Sequence, residues 1–316
     1  MDARSPLPWR APRPVMPLGP YGGLKDPCVV RFQGRWHLFA TGCKENWTYD
    51  VVHAVAPRPT GPWTLLPPSD VVGAEGASLC APGVVADGER LHMFVQESYN
   101  TPGGAIHHLV SDDAGASFHC TDRALTSRPR TTEVGLYDAH PGEVGGDKYV
   151  VYAGFANVGE PDLHLARSAS GSWHGPWERL GVVLGHDDVT CHNPRGVERY
   201  EWGLEGGQLT ELPDGRALLS AVCFLPDGDH GTRQRIFLAV ADRPQGPYEV
   251  LGPALDPVRY AVGGENGHGC TVVDRGRVYL FFQHRDGDGL PWSLSVTSIP
   301  AVALAGSVER PLEGVA

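Results

Sequence analysis

A unit of about 60 residues recurs five times along this chain, and no other feature constrains the fold so tightly. Each copy opens with a short apolar strand, passes through a Gly-containing turn and returns as a second strand. Asp26-Pro27-Cys28-Val29-Val30 leads through Gln33-Gly34 to Trp36-His37-Leu38-Phe39. Ala81-Pro82-Gly83-Val84-Val85 leads through Asp87-Gly88 to Leu91-His92-Met93-Phe94. His140-Pro141, Glu205-Gly206-Gly207-Gln208-Leu209 and His268-Gly269-Cys270-Thr271-Val272 start the other three copies in the same way. The starts fall at 26, 81, 140, 205 and 268, with spacings of 55, 59, 65 and 63 residues. A third apolar run follows in each copy, such as Val51–Val55 or Ile236–Val240. In four copies a glycine turn and an aromatic come next: Gly61-Pro62-Trp63, Gly115-Ala116-Ser117-Phe118, Gly175-Pro176-Trp177 and Gly246-Pro247-Tyr248.

Four short strands repeated five times predict an all-β, five-bladed β-propeller with four antiparallel strands per blade. The expectation is a single propeller domain over residues 1–316, with terminal segments at 1–20 and 304–316. The fifth copy lacks its fourth strand, so either the first 25 residues or residues 304–312 must close the ring. The composition agrees. The chain holds 41 glycines and 28 prolines, a supply of tight turns that disfavours long helices.

Charge and hydropathy narrow the partners. The net charge is −11, from 37 acidic and 26 basic residues, without a basic run, which argues against nucleic acid. No 18-residue apolar run exists to cross a membrane, and Met1–Leu18 lacks the apolar stretch of a secretory signal. Seven scattered cysteines without a C-x-x-C pair fit a reducing, cytoplasmic setting.

In a propeller the first strand of every blade lines the central channel. The polar residues that open the units therefore converge: Asp26, Asp138 with His140, Glu205 and His268. Carboxylates gathered in this way can separate their pKa values and divide acid from base work.

With these residues in order, the chain resembles the five-bladed propellers of glycoside hydrolase family 43 and its relatives. The resemblance rests on Lys25-Asp26-Pro27, Ala81-Pro82, the acid Asp138, Glu205-Gly206, Asn266-Gly267-His268-Gly269 and Gln283-His284-Arg285, over roughly residues 20–300. It implies an inverting glycosidase, and the lack of a signal or an appended binding module points to a small glycoside or oligosaccharide as the expected substrate. Asp26 would be the general base, Glu205 the general acid and Asp138 the residue that tunes and orients the acid. Arg285 would point toward the substrate. By position, Trp47, after the second strand of the first blade, and the channel residues His140 and His268 are further candidates to bind the sugar. No cofactor would be required, although His268 matches a channel histidine that in relatives contributes to a metal site, so Ca²⁺ or another divalent ion could sit in the channel. Cys80 stands where an aromatic is expected, Gly83 where an acid is usual, and Gly207 where a proline is common. In the third blade Asp138-Ala139-His140-Pro141 replaces Asp-Pro, which leaves Asp138 and His140 competing for one position.

Two other functions fit the same scaffold. One is a metal-dependent enzyme, a lyase, an isomerase or a tailoring enzyme of a small metabolite. The other is a carbohydrate-binding propeller without catalysis. His53, His107, His108 and His164 fall in third strands and read as ordinary strand residues. His186, His192 and Asn193 lie where a loop could reach the cleft, and Glu97 and Glu265 are spare acids near strand ends.

Overall fold

The structure, a computed structural model, describes residues 7–45, 48–74, 78–97, 101–158, 160–189, 202–226, 232–255 and 264–305. They form five antiparallel blades around a channel. After a short strand β1 (Arg13–Pro14), the first blade is β2 (Gly23–Phe32), β3 (Arg35–Cys43), β4 (Tyr49–Ala56) and β5 (Thr64–Leu65). The second is β7 (Gly83–Asp87), β8 (Arg90–Gln96), β9 (Ala105–Ser111) and β10 (Ser117–Thr126), with β6 (Asp70–Val72) added in parallel at its outer edge. The third is β11 (Gly135–Val144), β12 (Asp147–Phe155), β13 (Asp162–Ser168) and β14 (Trp177–Leu184). The fourth is β15 (Trp202–Glu211), β16 (Ala217–Pro226), β17 (Thr232–Ala241) and β18 (Glu249–Pro253). The fifth is β19 (Glu265–Asp274), β20 (Arg277–Arg285) and β21 (Ser293–Pro300).

The N-terminal segment closes the ring. Arg13 pairs with Val296 and Pro14 with Ser295, so β1 serves as the fourth strand of the last blade. A proline is tolerated there because this edge strand needs no further donor on its outer side. Among the described residues, no helix is long and apolar enough to cross a membrane.

The apolar core is divided among the blade junctions. Leu91, Met93 and Phe118 meet Phe39 and Val51 between the first and second blades. Phe94 and Ile106 meet Leu136 and Tyr152 between the second and third. Similar clusters fill the remaining three junctions. Each buried Leu or Phe contributes about 1.5–3 kcal/mol, so the blades are held face to face by area rather than by particular pairs.

Polar contacts then fix the inner strands. In β2 the ladder jumps from Lys25 to Cys28, and in β11 from Tyr137 to His140. The residue thrown out of register adopts a left-handed conformation, with φ of 50° at Asp26, 52° at Ala81, 50° at Asp138 and 59° at Gly206. A side chain in that region costs on the order of 1 kcal/mol. The N–H freed from the ladder is taken up by the second strand of the preceding blade. Asp26 donates to Gln283 Oε1 at 2.7 Å, Ala81 to Thr41 Oγ1 at 2.8 Å and Asp138 to Gln96 Oε1 at 2.8 Å. Further down the channel, Cys28 Sγ accepts the Val84 N–H and Cys270 Sγ accepts the Val29 N–H, each at 3.1 Å.

Candidate active site

The equivalence of these bulges orders the site. Asp26, Ala81, Asp138 and Gly206 are corresponding residues of four blades, and Ala139 takes the place of Pro27. The carboxylate in step with Asp26 is therefore Asp138, two residues before the position read from Pro141. His140 corresponds to Cys28 and lies one step deeper. The proline suggested the other register because the bulge, not the proline, is what sets the alignment.

His268 gathers the carboxylates. It sits at the bulge of β19, between Gly267 and Gly269, and is almost fully buried. Its Nδ1 lies 3.2 Å from Asp26 Oδ1. Its Nε2 lies 3.1 Å from Asp138 Oδ2 and 3.2 Å from Glu205 Oε1. The three acids are 1–2% exposed. Gly206 makes this approach possible, because a Cβ there would stand 3.0 Å from the His268 ring in a backbone already at φ +59°.

The cluster polarises its members. Burial disfavours a charge on His268, but Asp138 and Asp26, with hydrogen bonds to Asp138 and Glu205, override it and hold the imidazolium well above the ordinary histidine range. Burial also opposes ionisation of Asp26. Lys25 and His268, with hydrogen bonds from Thr41 and Cys80, outweigh it and bring the pKa down to about 2. The Thr41 hydroxyl donates to Asp26 Oδ2 at 2.7 Å and the Cys80 thiol at 3.3 Å. Asp138 moves the other way. Burial raises it, His268 lowers it, and the charges of Glu205 and Asp26 leave it raised overall. His140 is pulled down to about 4, first by burial and then by the charge on His268.

Glu205 is held from two sides. The Tyr137 hydroxyl donates to Oε2 at 3.3 Å and Gln234 Nε2 to Oε1 at 3.1 Å. Gln234 Oε1 in turn accepts from Gln283 Nε2 at 2.9 Å, and Gln283 carries the Asp26 N–H. One hydrogen-bonded path thus joins Asp26 to Glu205. Arg285 does not reach the carboxylates directly. It forms an ion pair with buried Glu265, lies 5.0 Å over the Trp292 ring, and connects inward through the Gln234 N–H that Glu265 accepts. Trp47, His192 and Asn193 lie outside the described residues. His186 pairs with Asp162 at 2.7 Å, and Glu97 pairs with Arg123 at 2.9 Å.

Sequence reasoning did not single out Thr41, Gln96, Gln234 or Tyr137, and it named Gln283 only within the Gln283-His284-Arg285 motif, without a role. A signal existed for three of them. Phe39-Ala40-Thr41, Phe94-Val95-Gln96 and Phe281-Phe282-Gln283 end corresponding second strands with one polar residue after an apolar run. Gly83 also has a structural reason, since a side chain there would collide with the Ala139 carbonyl and Pro141 of the next blade.

No protein-family model matches the chain, and no curated protein matches it. Solved structures do. The catalytic domain of the Coprinopsis cinerea GH62 α-L-arabinofuranosidase matches with a TM-score of 0.68 at 16% identity, covering 92% of this chain and 96% of that one. The GH43_1 enzyme of Xanthomonas citri, complexed with xylose, matches at 0.60 and 16% identity, covering 90% and 89%. The Bombyx mori GH32 β-fructofuranosidase BmSUC1 matches at 0.68 and 18% identity, covering 95% of this chain and 65% of that one. All share its five-bladed architecture.

Proposed function

We propose that this chain is a glycoside hydrolase of small glycosides or oligosaccharides, with Asp26 as general base, Glu205 as general acid and Asp138 as the orienting carboxylate. The observation that carries the reading is the convergence of these acids, from three different blades, on His268. Asp26, held near 2, is ionised at neutral pH, as a base must be. It takes a proton from water while the water oxygen attacks the anomeric carbon. The glycosidic bond breaks as Glu205 gives a proton to the leaving oxygen. Asp26 and Glu205 contact different nitrogens of the His268 imidazole. An inverting hydrolase works with its two carboxyl groups about 6.5–9.5 Å apart, which leaves room for the attacking water. Asp138, whose carboxyl is raised above the usual range chiefly by burial, shares His268 Nε2 with Glu205 and so orients the acid. The arabinofuranosidase and xylose-bound structures that share the fold point to pentosides as the first substrates to try.

A second reading rests on the same donors. Ligand atoms of Asp138, Glu205 and His268 lie within 4.8 Å of one another, and among the described residues Asp26 Oδ1 and Asp138 Oδ2 have no hydrogen-bond partner beyond their His268 contacts. These residues fit a divalent ion, which would supply positive charge to polarise a substrate oxygen.

The experiment is hydrolysis of aryl arabinofuranoside, xyloside, galactoside and fucoside by wild type and Glu205→Gln, each with and without EDTA. The hydrolase reading predicts turnover of at least one glycoside, reduced about 10²–10⁴-fold in the variant and unaffected by EDTA. Turnover abolished by EDTA establishes the metal reading instead. No turnover of any glycoside overturns the hydrolase assignment.

A further inference from the structure

We infer that the junction of the second and third blades carries a zinc-class divalent metal site built by His108, Asp122 and His174. None of these residues belongs to the channel cluster. His108 lies on β9, Asp122 on β10, and His174 in the turn between β13 and β14, so two blades supply ligands. One donor atom from each residue lies within 4.8 Å of the other two. His108 is fully buried, Asp122 is half-buried and His174 is exposed, which opens the cluster to solvent on one side.

The ring of His108 is already set for coordination. Its Nε2 lies 2.9 Å from His92 Nδ1, and the two rings stack with an interplanar angle of 7°. When His108 Nε2–H donates to His92, Nδ1 turns a lone pair toward Asp122 Oδ2, 3.6 Å away. An imidazole lone pair facing a carboxylate repels it unless a proton or a cation lies between. Thr121 Oγ1 stands 2.9 Å from Nδ1 and 3.3 Å from Asp122 Oδ2, but its single proton serves one of them at a time. The same hydroxyl is also 3.1 Å from the His108 carbonyl. A divalent ion satisfies both groups at once. His174 presents its ring edge-to-face with His108, centroids 4.8 Å apart, and completes the set. An imidazole ligand whose other nitrogen donates to a fixed partner is the arrangement that metal sites use to orient their histidines. Two imidazoles and one carboxylate, with one position left for water, favour zinc over calcium or magnesium.

The first blade supplies an internal control. His37 Nδ1 and His53 Nε2 form the corresponding pair at 3.0 Å, with the same 16-residue separation as His92 and His108. Among the described residues, that pair joins no group of three metal donors. The histidine pair thus recurs in the first two blades, and Asp122 and His174 are what convert the second copy into a binding site. Metal held there would tie the third blade to the second.

The test is calorimetric titration of the chelator-treated protein with Zn²⁺, alongside thermal unfolding with and without Zn²⁺. Wild type, His174→Ala, Asp122→Asn and Glu205→Gln are compared. Both ligand substitutions lie at the surface edge of the cluster, so the fold tolerates them. The inference predicts one Zn²⁺ bound by wild type and by Glu205→Gln, with a rise in Tm. It predicts affinity at least ~10-fold weaker in His174→Ala and Asp122→Asn, with the Tm shift lost and glycosidase turnover unchanged. Wild type that takes up no Zn²⁺ overturns it. So does uptake that survives both ligand substitutions, or that disappears in Glu205→Gln and so belongs to the channel.

Discussion

At the scale of single residues, the clustered acids are held in place by neutral side chains around them. Gln283 is the clearest case. Its Oε1 accepts the Asp26 N–H and its Nε2 donates to Gln234, which holds Glu205. Gln283→Leu leaves the left-handed Asp26 N–H buried without a partner, a loss of about 1–3 kcal/mol. Urea unfolding should show that loss, and kcat should fall because Asp26 and Glu205, the proposed base and acid, are no longer tied together. Substitution by Glu restores the acceptor but not the donor, so it should recover stability more than rate. A second prediction concerns pH. His53 is buried, and burial together with His37 brings its pKa down to about 4. An unfolded histidine titrates near 6.5. As pH falls from about 6.5 towards 4, the unfolded chain takes up a proton that the folded chain refuses, and stability declines across that window. Unfolding midpoints at pH 7 and pH 4.5 should differ more in wild type than in His53→Phe, which keeps the stacking on Phe39 and removes the titration.

At the scale of elements, the controlling feature is the bulge that opens each inner strand. It turns Asp26 and Asp138 into the channel and passes their N–H groups to the neighbouring blade. Gly206→Ala should damage the site without unfolding the blade. The new methyl pushes on the His268 ring in a strained backbone, so activity should fall at least ~10-fold while circular dichroism stays native. The elements also show what was legible in the sequence. Strand pairs, turn glycines and closing aromatics are local, and they could be read directly. The acids Asp26 and Glu205 were visible because each opens an apolar strand. Asp138 against His140 was not decidable, because a bulge shifts register without any residue that announces it. The roles of the glutamines were harder to read. Gln96 and Gln283 each act on the next blade, and Gln96 and Asp138 lie 42 residues apart, so a polar residue after an apolar run does not announce its partner. His108 read as an ordinary strand residue because its neighbour His174 comes from another blade.

At the scale of the whole molecule, the ring is closed by a short strand near the N-terminus. Val15 and Met16 also sit in the core between the fifth and first blades. Removing residues up to Met16 deletes β1 and two buried side chains worth about 1.5–3 kcal/mol each. Thermal melting should show a clear drop in Tm, and activity should fall with it, because Asp26 and His268 belong to the two blades that this closure joins. The acids come from the first, third and fourth blades and their common histidine from the fifth, so the cluster is assembled only in the closed ring.

The division of labour between Glu205 and Asp26 is the central claim, and leaving-group dependence tests it most directly. The measurement compares wild type, Glu205→Gln and Asp26→Asn on the same glycoside with a dinitrophenyl and with an alkyl leaving group. A dinitrophenolate departs without a proton, so Glu205→Gln should keep most of its rate on that substrate and lose about 10²–10⁴-fold on the alkyl one, whereas Asp26→Asn should lose rate on both. Equal losses for Glu205→Gln on the two substrates would contradict its role as the acid.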